Sequence, residues 1–189
     1  MNKPYDSEQD TKDHIALVQG YLAKCCEIFL ERGRAHDQSK LEEPEKSLFD
    51  KYRPMLAALD YGSPEYRQSL DSLRPALTHH YQANSHHPEH YGWLSCNGCH
   101  KRFPIDYDGR CDVCGYSQFQ LDGNVDGMNL FDVLEMFIDW KASGEQHDSG
   151  SIAQSLKVNT DRFRLSPQLA SILWNTAVVM GWASEEERP

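Results

Sequence analysis

A mainly α fold with one small non-helical insertion is predicted, on three observations. Apolar residues recur at spacings of three and four along most of the chain. Residues 95–125 break that period and are rich in Gly, Asp, Asn and Cys. No convincing set of strands lies outside that stretch. With 189 residues and 39% hydrophobic content, the chain suits one domain of ordinary size with a real core.

The elements follow in order. Residues 1–10 read as a polar, loose lead-in. Residues 11–32 have helical period, with Ile15, Val18, Leu22, Cys25 and Phe29 on one stripe and Gly33 as the stop. Cys25 and Cys26 are read as packing residues. A second helix is expected over 42–59. In "YGSPEY", Ser63 reads as an N-cap with Pro64 in the first turn. The helix that follows carries Leu70, Leu73 and Leu77, with a kink or restart at Pro75. Pro88 opens a short helix. Residues 129–142 are helical, "SGEQHDSGS" is a loop, and a C-terminal helix starts with Ser166 as N-cap and Pro167 at its first position. "SEEERP" is a solvated tail. The resulting division is a helical domain at 11–94 and 126–183, an inserted module at 95–125, and loose ends at 1–10 and 184–189.

Charge narrows the function. Twenty-nine acids against 19 bases give −10, which argues against a general nucleic-acid coat, since that needs a basic face. A phosphate substrate stays open, because bound metal ions supply local positive charge. No apolar run suits a membrane span and the N-terminus has no signal-peptide pattern, so a cytoplasmic protein is expected. Cysteines there serve more often as ligands, catalytic groups or core fillers than as disulfides.

Four of the six cysteines form two knuckles, Cys96-x2-Cys99 and Cys111-x2-Cys114. That spacing suits one tetrahedral zinc held by four thiolates. Gly98, Gly109 and Gly115 permit the tight turns. "CNGCH" also fits covalent haem attachment, but that use leaves the second pair idle; a disulfide pair does not suit the compartment. The module resembles a zinc ribbon, which implies structural zinc with no open position for chemistry.

A second ligand set remains. It comprises His14, the pair His36-Asp37 in "HDQSK", His80 and the pair His86-His87 in "HHYQANSHHPEHY", and the acids Asp132, Glu135 and Asp139. His14 borders the first helix's apolar stripe, where a core histidine is the competing reading. His36, Asp37 and Lys40 fall within one helical turn, where a cap with a surface lysine competes. His80 follows Leu77 by three residues and Leu73 by seven, so it shares their face, with Asn84 one turn on; His79 points about 100° away. In "NLFDVLEMFIDWKA" apolar stripes surround a single polar one, Asp132, Glu135 and Asp139. A helix apolar nearly all round is buried, and buried carboxylates are paired or metal-bound. A narrow solvated face is the alternative.

The order His … His-Asp … His … His … Asp, with "HDxxK", resembles the HD superfamily of metal-dependent phosphohydrolases. "HDQSK … HHYQANSHHPEHY … MNLFDVLEMFIDW" also resembles a small, often phage-encoded HD-like group. The resemblance covers about residues 11–142 without the cysteine module, and implies an HD-like helical bundle with a zinc-ribbon insertion. It implies His36, Asp37 and Asp139 as core ligands of a catalytic ion, His14 completing that site, and His80, His86 and His87 holding a second ion. Lys40 would contact phosphate, Asp37 could bridge the ions, and Glu135 would orient water or support a histidine. The implied reaction is metal-activated hydrolysis of a phosphomonoester or nucleotide, using one or two ions among Mn, Fe, Co, Ni, Mg and Zn. The competing reading is a non-catalytic adaptor whose ribbon binds protein or nucleic acid through Lys101 and Arg102 beside Phe103.

Overall fold

The computed structural model describes residues 6–59, 64–146 and 150–188. It is mainly α: among those residues it contains six α-helices and one three-stranded sheet. The chain separates into two compact units, Met1–His36 and Asp37–Pro189.

The first unit is one long helix, α1 (Ser7–Ala35). Asp6 caps it, its Oδ1 accepting from Glu8 N at 3.1 Å and Gln9 N at 3.3 Å. This cap explains why helix begins within the stretch expected to be loose. Gly33 does not stop α1; the helix continues to Ala35, and His36 is its C-cap. The predicted apolar stripe is present, but its upper part is open. Ile15, Val18 and Leu22 are 48%, 41% and 61% exposed, and Cys26 is exposed rather than packed. Periodicity shows that a helix has a face to cover, not what covers it.

In the second unit a left-handed residue, Asp37 (φ 54°), starts a 3-10 turn over Gln38–Leu41. His36 and Lys40 are therefore not successive-turn neighbours on an α-helix, contrary to the periodic reading. Then come α2 (Glu45–Ala57) and α3 (Pro64–Ala83), which pack together. α3 runs on through Pro75 without restarting. Its expected cap, Ser63, lies outside the described residues. A 3-10 turn follows at Pro88–Tyr91, with Pro88 at its first position.

The inserted module is a sheet of β1 (Trp93–Cys96), β2 (Arg102–Phe103) and β3 (Phe119–Asp122), antiparallel in the order β2-β1-β3. Trp93 and Leu94 pair with Asp122 and Leu121, so the sheet begins two residues before the expected boundary. Leu94, Cys96, Phe103 and Cys111 form a small core of their own, flanked by Tyr107 and Phe119.

The chain ends in α4 (Leu130–Glu145), α5 (Ile152–Phe163) and α6 (Pro167–Val179). Their main core joins Phe137, Ile152, Leu156, Phe163, Leu165, Leu173, Trp174 and Ala177. Of the expected loop, residues 143–145 complete α4 and 147–149 lie outside the described residues. α5 is additional to the predicted helices; Ser151 caps it, and Ile152, Leu156 and Phe163 supply its buried face. α4 is not buried all round: Leu130 and Ile138 are 77% and 46% exposed. Near the C-terminus, Ser184 and Glu187 cap one another around a 3-10 turn.

Candidate metal centre

The histidine-rich segment leaves the end of α3 and turns at Pro88–Tyr91. Of the first pair, His80 faces inward at 2% exposure, in line with the α3 stripe. Asn84, one turn later, binds the His80 carbonyl at 2.8 Å and the Ser39 hydroxyl at 2.8 Å. That amide ties the end of α3 to the 3-10 turn carrying Lys40. His86 is also buried, and His87 is half-buried beside it, their ring centroids 4.2 Å apart.

Five donors gather here as two overlapping sets: Asp37, His80 and His87, and His86, His87 and Asp139. Within each set one ligand atom per residue lies within 4.8 Å of the others. Nε2 of His80 and Nε2 of His87 are 2.8 Å apart. Oδ1 of Asp37 is 3.5 Å from Nε2 of His80 and 3.5 Å from Nε2 of His86. Two imidazoles on one ion at right angles have nitrogens about 3.0 Å apart at ordinary bond lengths, so the spacing fits a shared ion. The other Asp37 oxygen accepts from Lys40 Nζ at 2.5 Å, which places the lysine at the rim with its side chain 37% exposed.

The far nitrogens meet carboxylates. His80 Nδ1 is 2.9 Å from Glu45 Oε2, and His86 Nδ1 is 3.1 Å from Glu135 Oε1. A carboxylate accepts, so Nδ1 carries the proton and Nε2 keeps its lone pair toward Asp37. This orientation fixes the tautomer that binds metal. Glu45 is fully buried, and its second oxygen takes His79 Nδ1 at 2.7 Å. His79 is therefore a partner of the supporting acid rather than a bystander.

Electrostatics favour neutral imidazole. Burial holds His80 below its ordinary value, helped by the Lys40 charge and opposed by Asp37 and Glu45. Burial, with His86 and His80 beside it, brings His87 down to about 3. Both are lone-pair donors at neutral pH rather than cations.

Asp132, the third acid of the α4 stripe, is fully buried but stands outside both sets. It accepts from Ser85 Oγ at 2.6 Å, Tyr91 hydroxyl at 3.0 Å and Asn129 N at 3.1 Å. Hydrogen bonds compensate its burial, and it pins both sides of the His86-His87 turn to the start of α4. His14 is exposed on α1, and His36 caps that helix, one peptide bond before Asp37. His90 closes its own turn on the Tyr81 carbonyl at 2.8 Å. Glu45 and Ser39 escape sequence reasoning: Glu45 lies at the charged start of the helix expected over 42–59 and Ser39 within "HDQSK", and only contact with α3 reveals their use.

The four module cysteines converge separately. Cys96 and Cys114 sulfurs are 3.5 Å apart, those of Cys99 and Cys111 are 3.4 Å apart, and one ligand atom from each of the four lies within 4.8 Å of the rest. Both gaps exceed a disulfide bond. A tetrahedral ion with metal–sulfur bonds of about 2.3 Å needs sulfurs about 3.8 Å apart, so the cluster can hold a metal such as zinc. The two knuckles turn alike: His100 N donates to Cys96 O and Gly115 N to Cys111 O, each at 2.8 Å, with φ of 59° and 73° at the donors. Against burial, backbone donors and neighbouring thiols lower Cys111, while Cys99 and Cys114 are raised, so the clustered thiols share protons rather than ionise alike.

No helix among the described residues is long and apolar enough to cross a membrane. In comparison with known proteins, no curated relative and no solved structure matches the chain. Residues 3–178 match a family of unknown function, DUF5662, and the chain belongs to that family.

Proposed function

We propose that the protein is an HD-type, metal-dependent hydrolase of phosphomonoesters or nucleotides, and that its four-cysteine cluster holds a structural zinc. The main support is the gathering of Asp37, His80, His86, His87 and Asp139 around two buried histidines, with Glu45 and Glu135 on the far nitrogens of His80 and His86. Unlike a purely structural hydrogen-bond network, this arrangement turns imidazole lone pairs and a carboxylate oxygen toward one another. A divalent ion bound there supplies an acidified water and offsets charge on the phosphoryl group. Imidazole and carboxylate donors suit Mn, Fe, Co, Ni or Zn. Asp37 orients its Oδ1 toward His80 and His86 while Lys40 holds its other oxygen. The half-exposed Lys40 ammonium is the positive group available to a phosphoryl oxygen. Four thiolates leave no open position at the cysteine cluster, so its role is in folding.

The adaptor reading loses one of its supports, because Lys101 Nζ is held by both Asp112 oxygens at 2.7 Å.

Metal counting and a phosphatase screen decide the proposal. The purified protein should carry one zinc and at least one further ion, and hydrolyse a generic or nucleotide phosphomonoester with Mn, Co, Ni or Mg. Asp37→Ala should lower activity by at least 100-fold and leave the cysteine-bound zinc in place. One zinc, no further ion and no hydrolysis under any condition would overturn the enzyme assignment.

A further inference from the structure

Three described non-glycine residues have positive φ: Asp37, His100 and Arg164. Asp37 belongs to the metal centre. The other two line one cleft, where the sheet meets the region around α5.

Both positions ordinarily favour glycine. Arg164 is the left-handed C-cap of α5, a place glycine takes most cheaply. His100 occupies the turn position of the first knuckle that Gly115 fills in the second, with the same backbone hydrogen bond. The chain thus uses glycine at one of two matched turns and histidine at the other. A non-glycine residue in this region carries a conformational cost, and such residues cluster at functional sites.

The cleft has two adjoining chambers of about 480 and 240 Å³, which share Trp93, Arg102, Asp122 and Arg164. The Arg102 guanidinium lies 3.8 Å over the Trp93 ring. Among the described residues, neither Arg102 nor Arg164 forms an ion pair with a carboxylate, whereas Arg162 is held by Glu89 at 2.6 Å. Of the cleft's two carboxylates, Asp122 accepts from Ser95 Oγ at 2.5 Å and Gln120 Nε2 at 3.2 Å, and Asp126 lines only the smaller chamber, away from His100. The buried Trp93 indole N–H has no acceptor among the described residues. Two unpaired guanidiniums, an imidazole and an unsatisfied donor form a site for anionic oxygen in a chain of net charge −10.

We propose that this cleft binds a nucleoside monophosphate, with the phosphate between His100, Arg102 and Arg164 and the nucleoside in the second chamber, whose lining adds Phe163 and Leu169 as apolar surface for a base and Asn124 and Asp126 as polar groups for ribose hydroxyls. The surrounding negative charge disfavours a long strand and favours a small ligand. The site is distinct from the metal centre and does not depend on the hydrolase proposal.

Calorimetric titration with AMP, CMP, GMP and UMP tests it, beside inorganic phosphate, the uncharged nucleosides and a short single-stranded oligonucleotide. At least one mononucleotide should bind at least tenfold tighter than phosphate or its own nucleoside. Arg164→Gly and His100→Gly should each weaken that binding at least tenfold without lowering the melting temperature, because glycine relieves the backbone. Arg102→Gln, which leaves both turns untouched, should weaken it likewise if either glycine variant fails to fold. In Asp37→Ala, which removes the proposed hydrolysis at the metal centre, mononucleotide binding should persist and should still be weakened by Arg102→Gln. The proposal is overturned by no binding at 1 mM (about the weak end of ordinary ligand affinity), by full binding in the glycine variants or in Arg102→Gln, or by loss of binding in Asp37→Ala. Equal affinity for phosphate or nucleoside overturns it as well. An oligonucleotide binding tenfold tighter than any mononucleotide overturns the small-ligand assignment.

Discussion

Glu45→Ala is the most informative single perturbation of the proposed metal centre. The carboxylate is fully buried and joins two histidines, at 2.7 and 2.9 Å. His79 has a side chain 45% exposed, so water replaces its lost acceptor at little cost. His80 has a side chain 3% exposed and keeps a buried ring N–H whose remaining acceptor is the Ser39 hydroxyl at a long 3.4 Å. Leaving such a donor unsatisfied costs about 1–3 kcal/mol, and the loss of side-chain packing adds to it. A total near 3 kcal/mol is expected, a fall in melting temperature of roughly 6–12 °C for a unit of this size. Losing the carboxylate behind a ligating histidine also weakens metal affinity about 10–100-fold. Cobalt titration followed by visible absorption reads both clusters, because thiolate and imidazole sites differ in their bands. The cysteine-bound cobalt should be unchanged while the histidine-site band requires at least tenfold more metal. Glu45→Gln, which keeps the shape and one acceptor oxygen, should fall between the two. If Glu45→Ala binds both ions as the parent does and melts within 2 °C of it, the reasoning about His80 is refuted.

Two further outcomes follow from the same geometry. His87 is held down to about 3, so the folded state refuses a proton that the unfolded chain accepts near its ordinary value. Stability is then fully present above about pH 6.5 and declines as pH falls through that value toward 3; by pH 5 the loss is about 2 kcal/mol. Melting curves from pH 7.5 to 5 should show it, and His87→Gln should have a shallower slope; an identical slope in the variant would remove His87 as the cause. Asp132→Leu should cost about 3–5 kcal/mol in a urea unfolding series, because the Ser85 and Tyr91 hydroxyls and the Asn129 amide lose one buried acceptor together. A cost under 1 kcal/mol would mean that the turn holds its shape without α4.

The class of fold and the four-cysteine cluster are legible in the sequence because they depend on local patterns. The Cys-x2-Cys spacing fixes which sulfurs meet, and the α3 stripe places His80 rather than His79 inward. Ser166-Pro167 and Asn129 mark helix starts that the structure reproduces. Other features depend on distant partners. Glu45 sits in a charged run, and only α3 turns it from a surface acid into a histidine partner. Asp132, Glu135 and Asp139 form one stripe in sequence but have three different surroundings: hydroxyl donors, a histidine and a histidine pair. Helical period cannot divide them, because their difference lies in what faces each turn of α4. The Asp37 turn is illegible in the sequence for another reason. A left-handed residue leaves no apolar period, and "HDQSK" contains no glycine to signal one.

The histidine segment depends on buried acids in a way that explains the composition of its surroundings. Glu45 of α2 holds His79 and His80, Asp132 of α4 holds Ser85 and Tyr91, and Glu89 within the segment reaches Arg162 of α5. Each acid is at most 2% exposed, and each fixes the segment to a different helix. Apolar anchors would supply burial without direction, and could not select which nitrogen of an imidazole carries the proton. Carboxylates do select it, at a desolvation cost that only a well-formed set of donors offsets. Burial pushes Glu89 above the ordinary carboxylate range even with Arg162 against it, which shows how narrow that offset is. Of the three, Glu45 meets the histidines directly, so it sets the tautomers of His79 and His80, while Asp132 and Glu89 hold the turn that carries His86 and His87. Packing alone does not require a buried acid behind His80, and the proposed metal centre would.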